Sequence, residues 1–168
     1  MSSPKRPQRH DDQTYALAAE KFLEQIGQIE ENPEELVSIG RALSELSAFD
    51  QAKELAEQCF DMTDDLMQTL LDGSFMHDAH AERVVQWVET AKLKPRRKIG
   101  DEVSFTHQGD KLKGEITDIQ EDSANYTVCV PSLGHVKSGP GTRGLILAYE
   151  IIHPLARPVE EFELEPSM

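Results

Sequence analysis

A series of short apolar alternations between residues 99 and 154 constrains this chain most, because period-two segments broken by turn residues must pair as strands. Val103 and Phe105 alternate with polar neighbours, and Gln108-Gly109-Asp110 marks a turn. Lys113–Ile119 reads as a second strand, with Gly114 at a bulge or sharp bend. The chain turns again over Glu121–Asn125, and Tyr126, Val128 and Val130 alternate as a third strand. Pro131–Gly144 holds four glycines and two prolines and reads as a long loop. Leu145–Ala148 is a fourth strand, Tyr149-Glu150 a turn, and Ile151–His153 a fifth strand. Five short strands at this spacing predict a small antiparallel barrel.

Upstream the period changes from two to that of a helix. Tyr15, Ala19, Phe22, Ile26 and Ile29 predict a first helix that starts after Asp11 or Asp12. Asn32-Pro33-Glu34-Glu35 is a helix start: Asn32 caps, Pro33 suits the first turn, and Glu35 stands three residues beyond the cap. Leu36, Ile39, Leu43 and Leu46 form the apolar face of this second helix. A third helix turns Ala52, Leu55, Ala56 and Cys59 inward and either continues through Leu66 and Leu70 or restarts at Thr63. Gly73 is expected to end the run as a left-handed cap, with Ser74 capping a last helix to about Leu93 that carries Ala81, Val84, Val88 and Ala91. Pro95 then closes the helical half.

The expected fold class is therefore α+β, an acidic α-helical bundle over 12–93 followed by a five-stranded antiparallel β-barrel over 99–155. Residues 1–11 and the acidic tail 156–168 read as disordered, and Lys94–Lys98 as a basic hinge.

Charge narrows the partner classes. The chain of 168 residues carries a formal net charge of −14, with 8 Lys/Arg against 19 Asp/Glu over residues 1–93. Such a surface repels polyanions, so a nucleic acid would meet the chain only at the hinge and the barrel. The basic set available there is Lys94, Arg96, Arg97 and Lys98, extended by Lys111, Lys113, Lys137 and Arg143. No apolar run approaches the roughly 20 residues that span a bilayer, so no membrane role is expected. Cys59 and Cys129 fall in apolar patterns and read as buried free thiols of a cytoplasmic protein.

Catalytic signals are weak. His77 and His80, at helical spacing i and i+3, are the best metal candidates, but zinc requires further ligands. Paired carboxylates such as Asp64-Asp65 and Glu34-Glu35 stand in helix first turns, where the helix dipole accounts for them. No nucleophile elbow or phosphate-cradling loop is present, so neither an enzyme activity nor a cofactor is expected.

Two resemblances accompany this reading. Gly100-Asp101-Glu102-Val103, Gly114-Glu115-Ile116 with Ile119, Tyr126–Val128 and Tyr149–Ile152 resemble the Src-homology-3-like barrels of translation, transcription and chromatin proteins, and Gly114-x-Ile116 resembles a KOW-type second strand. Leu36, Ile39-Gly40, Leu43, Phe49, Ala52, Ala56 and Cys59 resemble one tetratricopeptide repeat. The barrel resemblance implies a fold whose relatives bind RNA, DNA, peptides or neighbouring domains, rather than an activity. The expected function is a non-enzymatic binding or adaptor protein acting through protein contacts. The alternative is a nucleic-acid-associated regulator using the basic set.

Overall fold

The computed structural model describes residues 4–136 and 144–153. They fall into two compact units, one over Arg6–Val84 and one chiefly from Val85 onward. The element order is α1 (Asp12–Gln25), α2 (Pro33–Leu43), α3 (Ala48–Glu57), α4 (Asp64–Asp72), α5 (Phe75–Thr90), β1 (Glu102–His107), β2 (Asp110–Gln120), β3 (Asn125–Cys129), a 3-10 turn at Pro131–Leu133, β4 (Leu145–Ala148) and α6 (Tyr149–Ile152).

Capping explains the short helices. Side chains of Asp11, Asn32, Ser47 and Thr63 accept from the amides of Thr14, Glu34, Asp50 and Leu66, each satisfying an amide that has no intrahelical partner. The third helix does not run on to Leu70: it ends at Glu57, Cys59 adopts φ 67°, and Thr63 starts α4. Gly73 closes α4 in an extended conformation, φ −83°, rather than the expected left-handed cap.

The helical unit buries Ala18, Ala19, Phe22, Leu36, Ile39, Leu43, Leu55, Leu66 and Leu70 in one core. Phe22 lies at its centre, edge-on to Phe75 at 5.5 Å and tilted to Phe60 at 6.0 Å. Gly40 sets the approach of α2 to α1: a Cβ there would stand 2.1 Å from the Tyr15 carbonyl oxygen. The predicted stripes overrun this core at their ends. Ile29 and Leu46 are exposed, because α1 ends at Gln25 ahead of Gly27 (φ 73°) and α2 ends at Leu43. Phe49, Ala56, Cys59 and Ala81 are exposed as well, so only Cys129 of the two cysteines is buried.

Residues ahead of α1 contact the helical unit. His80 Nε2 donates to the Pro7 carbonyl at 3.1 Å, and the buried Thr14 hydroxyl donates to the Gln8 carbonyl at 2.7 Å. Arg83 binds the Asp11 carboxylate and donates to Thr14 Oγ1 at 2.5 Å and Gln13 Oε1 at 2.7 Å.

The second unit is a curled four-stranded antiparallel sheet, a half-barrel in the order β1-β2-β3-β4. Gln108 and Gly109 both have positive φ, which makes the two-residue hairpin between β1 and β2. Gly114 is a point of close approach, where a Cβ would stand 2.5 Å from Val128 Cγ1; the register shift falls further on, between Ile116 and Asp118. Of the five strands expected, the fifth is absent from the described residues: Tyr149–Ile152 is a helical turn. Ala148 pairs with Asn125, the first residue of β3, so the ladder has no further partner. The chain coils there, with the Tyr149 amide donating to the Ala124 carbonyl at 2.9 Å. Tyr126 and Tyr149 are 0% and 1% exposed, and their rings lie 4.4 Å apart at the centre of the sheet's core.

Candidate binding surfaces

The basic hinge is anchored through its backbone. Tyr126 Oη accepts from the amides of Arg96 at 3.0 Å and Arg97 at 3.2 Å and stands 3.0 Å from His153 Nε2. The Lys98 amide donates to Asp101 Oδ2 at 2.9 Å, and the Gly100 amide donates to the Ile116 carbonyl at 2.8 Å. Lys94, Arg96, Arg97 and Lys98 are all exposed, so a buried tyrosine fixes the chain while the cations meet solvent.

Lys111 and Lys113 are also exposed, opposite Thr106 and Ser104 on the face away from the core. They belong to the hairpin end of β2. The segment that carries the other four cations runs on into Gly100 and Asp101, which pair with Ile116 of the same strand: the Gly100 amide donates to the Ile116 carbonyl and the Ile116 amide to the Asp101 carbonyl. Lys137 and Arg143 lie outside the described residues.

His77 is exposed, and His80 is committed to the Pro7 carbonyl. Among the described residues no group of three or more His, Cys, Asp or Glu side chains is placed to hold a metal. No described helix is long and apolar enough to cross a membrane.

The helical unit contributes surfaces of its own. A cavity of about 610 Å³ is rimmed by Glu30, Glu35, Asp61 and Asp65 over Ile39 and Phe60. A second depression, of about 440 Å³, lies between α3 and α4. Its α3 side is Phe49, Ala52, Lys53 and Ala56, the i, i+3, i+4, i+7 pattern of a single helix face. Met62, Thr63, Asp64 and Met67 complete it. Of the two alanines Ala52 is buried and Ala56 exposed, while Phe49 is 71% and Met62 39% exposed. The sequence placed Ala52 and Ala56 of this face inward together with Leu55 and Cys59; Ala52 and Leu55 are buried, Ala56 and Cys59 exposed.

Electrostatics stiffen the end of the unit holding Asp11. Burial raises the Asp11 pKa, but hydrogen bonds from Arg83 and Thr14 and the Arg83 charge outweigh it. They hold the carboxyl well below the usual carboxylate range. Lys21 also meets Glu82 at 2.5 Å.

No family model matches the chain, and neither curated proteins nor solved structures provide a match.

Proposed function

We propose that this chain is a non-enzymatic binding or adaptor protein that engages a protein partner through the groove between α3 and α4. The observation that carries this reading is the exposure of Phe49 and Met62 beside the small side chains of Ala52 and Ala56. Covering a Phe or Met side chain is worth about 1.5–3 kcal/mol, so a partner filling the groove gains what folding leaves unused. Capture from lysate on the immobilised full chain tests it. Phe49→Ser is expected to lose a partner that wild type retains, while the triple change Arg96→Ala, Arg97→Ala, Lys98→Ala keeps it. Equal capture by wild type and Phe49→Ser overturns the reading.

A second reading, nucleic-acid association through the hinge, draws on the backbone anchoring of Arg96 and Arg97 by Tyr126 with both side chains exposed. Its test is a gel shift across a salt series. Steep salt weakening and loss in the triple variant support it; no shift at low salt removes it.

A further inference from the structure

We infer that the α3–α4 groove selects a basic amphipathic helical segment, one with a bulky apolar anchor flanked by Lys or Arg; this rests on the groove being a protein-binding site. Three observations converge. The first is shape: the small side chains of buried Ala52 and exposed Ala56 stand among the larger Phe49, Met62 and Met67 around a depression of about 440 Å³, which suits insertion of one large apolar side chain. The second is the chemistry of the wall. Thioethers are polarizable and flexible, so two methionines adapt to an anchor of varied shape and make favourable contacts with an aromatic one.

The third is charge. Asp50, Glu57, Asp61, Asp64 and Asp65 are exposed on and around the two helices, with Lys53 the one cation between residues 45 and 72. Asp50 and Glu57 lie on the α3 face next to the one that carries Phe49 and Lys53, at the three- and four-residue spacing from Lys53 that lets them screen it. A second acidic segment brought here, including another copy of this chain with its charge of −14, meets mostly like charge, with Lys53 the one cation. A segment with cations beside its anchor meets complementary charge. An amphipathic helix presents its anchor and flanking cations with the same i, i+3, i+4 spacing that α3 presents in the groove.

The test uses full-length protein carrying labelled methionine methyl groups and a synthetic 18-residue amphipathic peptide of Leu and Lys with one central Trp. The signals of Met62 and Met67 are expected to shift and saturate at one peptide per chain, while that of Met76, 5% exposed in the core, stays in place. Phe49→Ser keeps the protein's charge and is expected to weaken binding at least tenfold. The double change Asp50→Lys, Glu57→Lys weakens it by a similar factor, and a peptide with Glu in place of Lys gives no shift. Equal affinity for the two peptides, equal affinity of wild type and Phe49→Ser, or shifts absent from Met62 and Met67 overturns the inference. So do Met62 and Met67 shifts that depend on protein concentration alone, which mark a second copy as the occupant. If Phe49→Ser still loses its lysate partner while the basic peptide fails, the binding reading survives and only the partner chemistry falls.

Discussion

The two units solve the same problem of small size in opposite ways. The sheet unit buries two tyrosines: the rings of Tyr126 and Tyr149 are tilted against each other and almost fully buried, and Tyr126 spends its hydroxyl on the hinge backbone. The helical unit also has a buried aromatic centre, at Phe22, yet leaves Leu46 and Phe49 fully or largely in water. Both units expose apolar side chains, Ile99, Val136 and Ile146 in the one and Leu46, Phe49 and Leu71 in the other; the sheet unit also presents exposed cations on an anchored backbone, while the helical unit presents its apolar surface within a field of carboxylates. The difference separates the groups that make each unit stable from those available to a partner.

The strongest way to break this comparison is to unfold one unit alone. Gly40→Ala places a methyl group against the Tyr15 carbonyl, so α1 and α2 must separate, at a cost of about 3 kcal/mol or more. Amide exchange is expected to show lost protection in α2 with β3 retained. Protection lost together in both would merge the units into a single cooperative block.

Tyr126→Phe has a smaller expected effect, about 1–3 kcal/mol, because it strands the amides of Arg96 and Arg97 that the hydroxyl accepts. Exchange at those two amides should accelerate, with α1 to α4 unchanged. Unaltered exchange would show that the hinge is held by other contacts.

Asp11→Ala sharpens the electrostatic half of the comparison. Loss of the α1 cap is expected to cost about 1 kcal/mol at neutral pH. Because the folded Asp11 pKa is depressed, its stabilisation is fully present above the unfolded value of about 4 and is lost as pH falls through the folded value. Urea midpoints of wild type and variant should therefore converge as pH drops below about 4. A gap that stays constant down to pH 2 would remove the Arg83 contact from the account.

Phe49→Ser is expected to have the least effect on stability, within about 0.5 kcal/mol, since the side chain is 71% exposed. A larger loss in a urea melt would make Phe49 part of the core and take the groove away.

Much of the sheet was legible because strands with one buried face alternate strictly: Val103, Phe105, Tyr126 and Val128 are all buried. The hairpin at Gln108-Gly109 was legible from turn chemistry. The fate of Ile151 and Ile152 was not, because their conformation depends on where β3 begins, a partner that local sequence does not reveal. In the helices the cap at Asn32 was readable and the break before Thr63 was not, and periodicity does not distinguish an apolar face that meets the core from one that meets solvent. Ala52 is buried and Phe49, on the same face, is not.

The most direct measurement is photo-cross-linking from matched exposed positions on the two units, with p-benzoylphenylalanine replacing Phe49 in one sample and Ile146, 63% exposed on β4, in another. The account predicts a discrete protein adduct from position 49, suppressed by excess of the basic amphipathic peptide, and none from position 146. An adduct from position 146 alone would contradict it and move the binding surface to the sheet.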